Sequence, residues 1–326
     1  MGKLKHRPID AAKRQAIITS PCAQADPYIY IHFKILCQVR LYLDSAIESL
    51  NDGRRWLSVS GIFAKRQYAR FNENLNRSNF NDKEDAMNDF QNMSQNLVKS
   101  LSLQYEPVGV ALYLETDPLP ADLASTQKEY KSYCHALVAA GEGEVLLLKK
   151  EQMGCKLGTS VLGLENDMEA YLDDGVLEKY GVGLFESEEA SAETILKASY
   201  LEKGKTRAAL IAPLSYFKQA PQVVVFTANS EQVMWLLYAL NYEKGGRMEL
   251  PQSGGALGGC ADITALPLLE GIPNITFLGL GCRLKSLVAP SDLMLGAPGN
   301  QLEMIHNHIL DMAKPIAMLK KQSAGS

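Results

Sequence analysis

The chain has 326 residues, 46% of them apolar and 21% charged, with a formal net charge of −4. That length suits one large domain or two modest ones, and the composition is that of an ordinary folded protein. No window approaches the ~20 consecutive apolar residues of a membrane span. The first 22 residues lack the continuous apolar stretch of a signal peptide, and His6 fits a myristoylation pattern poorly. The chain therefore reads as cytoplasmic, a compartment where thiols stay reduced.

The N-terminal part carries the positive charge. Residues 1–72 hold 12 Lys and Arg against 5 Asp and Glu, a balance of +7, whereas the remainder holds 21 against 32, a balance of −11. Residues 1–27 are polar without a sustained period and are expected to be poorly ordered. Tyr28–Leu50 is strongly apolar and reads as helical in its second half, where Leu41, Ala46 and Ile47 share a face; Asn51-Asp52-Gly53 stops it. Residues 71–86, FNENLNRSNFNDKEDA, have the composition of a linker. The expected organisation is a basic, partly disordered N-terminal helical extension over 1–86 and a main domain over 87–326. The acidic balance of that main domain excludes a broad basic face for nucleic acid.

From Met87 the chain alternates elements. A helix is predicted through Met93–Leu101, a strand at Pro107–Glu115, a helix over Thr126–Ala140 carrying Cys134, and a strand at Val145–Lys149. Gly154-Cys155 then leads into KLGTSVLGL, read as helical, and acidic helices follow across residues 167–202. Buried strands are predicted at Arg207–Pro213 and Gln222–Thr227 and a helix at Glu231–Leu240. A glycine-rich loop, Gly254–Gly259, ends at Cys260. A strand over Asn274–Leu280 delivers Gly281-Cys282-Arg283, and a closing helix spans Gln301–Leu319 with an interruption at Pro315. The fold class expected is α+β, a mixed sheet with helices.

The chemistry-bearing residues are the cysteines. Cys134 and Cys155 are 21 positions apart and Cys260 and Cys282 are 22 apart; Gly154, Gly259 and Gly281 directly precede three of the four. A thiolate that binds a metal or cluster needs backbone able to turn tightly around it and amides able to donate to sulfur. An iron–sulfur cluster or another thiolate-bound metal is the leading expectation. Against it stands the lack of any C-x₂-C run, so ligands must converge from four separate elements. The alternatives are redox or nucleophilic thiol chemistry, and buried thiols that pack as small hydrophobes. Cys22 and Cys37 lie in the extension and are read as non-functional.

Other residues weigh less. Gly254, Gly255, Gly258 and Gly259 are expected to approach a cofactor, either as an amide nest or as a plain connector, and the segment matches neither a Walker loop nor a dinucleotide fingerprint. Arg283 is expected either to supply positive charge to a carboxylate, a phosphate or the thiols, or to form a structural ion pair. His135 directly follows Cys134 and faces about 100° away from it on a helix, and the His306-x-His308 pair faces opposite sides, so neither suits chelation. The acids of residues 165–193, among them Glu165, Asp167, Glu169, Asp173 and Asp174, read as a solvated face without calcium-loop spacing.

From about Met87 to His308 the chain resembles the uncharacterised ArCR family of prokaryotic proteins, a domain of unknown function common in archaea and anaerobic bacteria. The likeness rests on PVGVAL at 107–112, on Cys134, Ala139 and Gly141, and on Gly154-Cys155 with Leu157-Gly158. It continues in the glycine-rich approach to Cys260 and the run NITFLGLGCR at 274–283. The resemblance implies recurring cysteines and no settled activity. The functional expectation is a cytoplasmic protein that binds a metal or iron–sulfur cofactor and serves anaerobic redox metabolism. The alternative is a non-catalytic small-molecule-binding or assembly protein with structural cysteines. In both cases the partner is a small molecule or cofactor, and neither nucleic acid nor a membrane.

Overall fold

The runs PVGVALYLE, RAALIAP and QVVVFT form strands because their apolar residues are unbroken, which is the pattern of strands covered on both faces. A computed structural model describes residues 85–120, 123, 129–130, 132–165, 168, 184–286 and 288–324. All of these belong to the second of two units into which the chain divides, Phe63–Ser326. The predicted extension falls outside the described residues except for its last two positions, as do Cys22, Cys37 and all the acids between 166 and 183.

Six strands form one sheet: β1 (Val108–Leu114), β2 (Leu146–Leu148), β3 (Thr206–Pro213), β4 (Val223–Asn229), β5 (Asn274–Thr276) and β6 (Asp292–Pro298), in the order β2-β3-β1-β4-β6-β5. Every pairing in it is antiparallel. The α+β class stands, and the expected mixed sheet is an antiparallel one. The register aligns Val110 with Ile211 on one side and with Val223 on the other, and Phe226 with Leu295. The edge strands β2 and β5 have three residues each, too short to invite pairing with another chain.

Side chains alternate across the sheet with period two. Val108, Val110, Leu112, Ala209, Ile211, Val223, Val225 and Met294 point to one face, which buries the cysteine-bearing elements. These are α2 (Tyr133–Gly141), α3 (Lys156–Val161), a π-helix (Gly258–Ala265) and α6 (Leu266–Glu270), with α7 (Leu280–Ser286) at the margin and α4 (Glu188–Leu196) beyond. Val224, Phe226, Ala228, Leu295 and Ala297 point to the other face, against α1 (Asp85–Leu101), α5 (Ser230–Asn241), α8 (Leu302–Asp311) and α9 (Ala313–Ala324). The result is three layers, with helices on both sides of the sheet.

Local rules account for the second helical layer. Asn229 and Gln232 form a reciprocal capping box on α5, and the Gln232 amide also donates to the carbonyls of Leu101 and Ser102, which ties α1 to α5. The closing helix divides at Met312 rather than at Pro315. The proline lies in the first turn of α9, where its missing N–H costs little.

Three expectations on the cysteine side are corrected. The strand predicted over Asn274–Leu280 ends at Thr276. The Thr276 hydroxyl accepts the Leu278 N–H at 3.1 Å, and Leu278 turns into left-handed backbone at φ 60°, so Cys282 lies on a helix. The glycine-rich stretch is a turn only as far as Leu257; Gly258 and Gly259 begin the π-helix. Strand β6 and helix α6 were not foreseen, because Gly296 and Pro298 break the strand pattern of DLMLGAP. Gly296 is needed there: a Cβ would collide with the Ile263 carbonyl of the π-helix, so the glycine sets how closely that helix approaches the sheet.

Candidate functional site

Each cysteine comes from a different element, and those elements touch. Helix α2 packs on α7 and on the π-helix, and α3 packs on the π-helix. Ser132 caps α2 by accepting the His135 N–H at 3.1 Å, which sets Cys134 in the first turn with its side chain buried. Cys155 caps α3. Cys260 lies near the start of the π-helix and is buried, and Cys282 lies in the first turn of α7. A π-helix is an uncommon element that tends to appear at functional sites.

The sulfurs of Cys134 and Cys282 are 2.8 Å apart, with the Cys134 thiol donating to Cys282. Gly259 lies against Cys134, where a Cβ would strike its sulfur. Gly158 closes the Cys155 side, where a Cβ would lie 3.6 Å from that sulfur and 3.4 Å from the Met153 sulfur. Charge on neighbouring sulfurs raises three of the thiols. Cys134 responds to Cys282, Cys260 and Cys155, Cys155 responds to Cys282, and Cys260 responds to both Cys155 and Cys282. Cys134 and Cys282 are in contact, and Cys155 and Cys260 lie near enough for charge to act between them.

Their environments differ. The hydrogen bond it donates to Cys282, followed by burial, pushes the Cys134 thiol well up. Burial pushes Cys260 well up, helped by charge on Cys155 and Cys282. Burial also raises Cys155, opposed by the Gly158 and Leu157 amides and by Lys285. Cys282 alone is lowered. The hydrogen bond from Cys134 is the main cause, and Lys285 and the Gly259 amide assist against burial. Of the two, Cys282 at the half-buried margin is the thiol whose ionisation the contact favours.

The other predicted residues divide. Gly258 and Gly259 line the site through close approach, Gly258 against Thr276 and Gly259 against Cys134. Gly254 faces open space and Gly255 abuts the Leu278–Gly279 backbone, both at positive φ. Arg283 donates to three backbone carbonyls, Phe277 at 2.8 Å, Ala289 at 3.1 Å and Asp292 at 2.9 Å. It clamps the segment that presents Cys282. His135 stacks at a tilt 5.3 Å from the Tyr130 ring. His306 meets Asn96 at 3.2 Å on α1, whereas His308 meets the Ala239 carbonyl at 2.8 Å on α5, so the two diverge as their spacing requires.

Two residues were missed. Lys285, one helical turn beyond Cys282, acts by its charge to lower both Cys155 and Cys282. Asp262, two positions after Cys260, is raised from the ordinary 3.8 to about 7 by burial, opposed by hydrogen bonds from Ser253. A buried acid beside the thiols was legible only as an acid interrupting the apolar run CADITALPLL.

Among the described residues, no group of three or more His, Cys, Asp or Glu has its donor atoms arranged to hold a metal ion as they stand. Two thiolates on a tetrahedral ion, each about 2.3 Å from it, are roughly 3.8 Å apart, wider than the 2.8 Å between the Cys134 and Cys282 sulfurs. The donors themselves are soft sulfurs, with backbone amides beside three of them, and Gly259 and Gly158 pack close to Cys134 and Cys155.

Residues 96–308 match the family described as Uncharacterised ArCR. An uncharacterized protein of Methanocaldococcus jannaschii is 26% identical over 220 residues, which is 67% of this chain and 93% of the relative. No solved structure matches. No described helix is long and apolar enough to cross a membrane.

Proposed function

The chain belongs to the ArCR family, and we propose that it is a cytoplasmic protein in which Cys134, Cys155, Cys260 and Cys282 hold a thiolate-bound metal centre, read as an iron–sulfur cluster serving anaerobic redox metabolism. The observation that supports the reading is the contact between the Cys134 and Cys282 sulfurs, with Cys155 and Cys260 on neighbouring elements near enough for charge to act between the thiols. Four unpaired thiols brought together in a partly buried place repel one another as they ionise, and a cation at their centre removes that penalty. When bound, a cluster would supply one-electron chemistry. The chain's own part is to fix the sulfurs, to direct the Leu157, Gly158, Ala261 and Gly259 amides at them, and to balance charge with Lys285. Metal entry requires Cys134 and Cys282 to part by about an ångström.

Anaerobic purification followed by iron, zinc and acid-labile sulfide analysis tests the reading. Near-stoichiometric metal, lost in Cys134→Ser and Cys260→Ser with the fold retained, supports it. A metal-free chain that folds fully contradicts it. The 2.8 Å contact favours a second reading, dithiol chemistry in which the Cys282 thiolate attacks and Cys134 resolves. A metal-free protein that forms a Cys134–Cys282 disulfide with glutathione disulfide would select it.

A further inference from the structure

A hydroxyl on α7 shares the helix face of Cys282. Ser286 closes α7 one turn after that cysteine, and residues four apart on a helix lie on the same side. Ser286 is 1% exposed, and among the described residues its hydroxyl has no hydrogen-bond partner. A buried hydroxyl left unpaired is costly to keep and calls for an explanation. Arg283 lies between the two and donates to the carbonyls of Phe277, Ala289 and Asp292, which holds α7 in place where it packs on α2. One short, anchored helix therefore presents a sulfur and an unpaired hydroxyl together, on the face that meets Cys134.

The two sulfurs differ in position. Cys134 is buried and donates its thiol hydrogen to Cys282 at 2.8 Å, whereas Cys282 is only half-buried. Cys282 is thus the sulfur that a substrate meets first, and Cys134 is the one already in contact with it. From 2.8 Å the sulfurs need to close by less than about an ångström to reach the ~2.05 Å of a disulfide. The hydroxyl points to the substrate class. In attack on a disulfide the leaving atom is sulfur, a weak acceptor that gains little from a hydroxyl. In attack on a peroxide the leaving atom is an oxygen that develops negative charge, which a fixed donor stabilises.

Resting on the dithiol reading, we infer that Cys282, Cys134 and Ser286 form a site that reduces hydroperoxides, with Cys282 attacking, Cys134 resolving and Ser286 donating to the leaving oxygen. In the first step the Cys282 thiolate bonds to one peroxide oxygen and the O–O bond breaks. The departing oxygen takes up the proton that Cys282 lost on ionising, and Cys282 is left as a sulfenic acid. In the second step the Cys134 sulfur displaces the sulfenic oxygen: the S–S bond forms, the S–O bond breaks, and hydroxide leaves with the Cys134 proton as water. The cysteine pair loses two electrons, and the peroxide gains them.

Hydrogen peroxide added to the full-length, anaerobically purified protein tests the inference, with alkylation of the remaining thiols, peptide mass spectrometry, and glutathione disulfide as the comparison oxidant. One equivalent of peroxide should convert Cys134 and Cys282 to their disulfide, and dithiothreitol should restore both thiols. Cys134→Ser should stop at a sulfenic acid on Cys282 that dimedone traps. Ser286→Ala removes a hydroxyl without a partner and should fold as the wild type does. It should slow the peroxide reaction about a hundredfold and leave the glutathione disulfide reaction unchanged. A disulfide formed with glutathione disulfide alone, or equal peroxide rates in wild type and Ser286→Ala, overturns the inference and leaves the dithiol reading standing. No disulfide with either oxidant in a folded chain, or a metal bound by the four sulfurs, overturns that reading and the inference with it. Oxidation of Cys155 or Cys260 as fast as Cys282 marks general thiol damage and also overturns it.

Discussion

The two faces of the sheet are built differently. On the face covered by α1, α5, α8 and α9, helices follow ordinary amphipathic and capping rules and bury Phe226, Leu236, Leu295 and Ile305 completely. On the cysteine face the backbone departs from those rules repeatedly. It holds Leu257 and Leu278 at positive φ, a π-helix in place of an α-helix, and glycines in contact with backbone and sulfur. Non-glycine residues in the left-handed region cost of order 1 kcal/mol or more each. A chain retains such features where the surroundings over-determine them; two of the three positive-φ residues that are not glycine lie on the cysteine face, and the third, Ser102, follows α1. One face supplies stability, and the other uses it to hold a site.

Several substitutions can break or sharpen this contrast. The largest effect belongs to the regular face: Phe226→Ala should cost about 3–5 kcal/mol in denaturant unfolding and leave metal content per folded chain unchanged. A matching loss of metal would show that the faces are not separable.

Asp262 comes next, on the cysteine face. Its carboxyl is raised from 3.8 to about 7, so the folded state holds the proton more tightly than the unfolded state. Stability is therefore unaffected below about pH 4, falls as pH rises through about 7, and stays reduced above it. Asp262→Asn removes that dependence and should gain about 2–4 kcal/mol over wild type at pH 8, with no gain at pH 4. A gain of equal size at both pH values would contradict the burial account.

Gly259→Ala should cost about 1–3 kcal/mol, because its Cβ must displace the Cys134 sulfur. Metal retention should drop further than stability does, which comparing metal content with the melting curve would reveal. Full retention would mean that the close approach is only packing. The smallest effect is expected for Asn229→Ala at the start of α5, about 0.5–2 kcal/mol with no change at the site.

The same contrast explains what the sequence disclosed. Strands β1, β3 and β4 and helix α5 were readable to within a residue or two, because unbroken apolar runs and an Asn cap carry local signals. The elements that bring Cys134 and Cys282 together were not readable, since their placement depends on Gly296 letting the π-helix onto the sheet and on Leu278 turning a predicted strand into a helix start. Arg283 and Lys285 show the limit plainly. Both lie within three residues of Cys282, and only three-dimensional hydrogen bonding tells that the arginine is spent on backbone carbonyls.

X-ray absorption at the metal edge of the anaerobically purified chain tests the convergence most directly, because it counts sulfur neighbours. The account predicts a first shell of sulfur at about 2.3 Å, disturbed by Ser at Cys134, Cys155, Cys260 or Cys282 alike. A shell of nitrogen and oxygen, or one indifferent to two or more of those substitutions, would contradict a four-cysteine site.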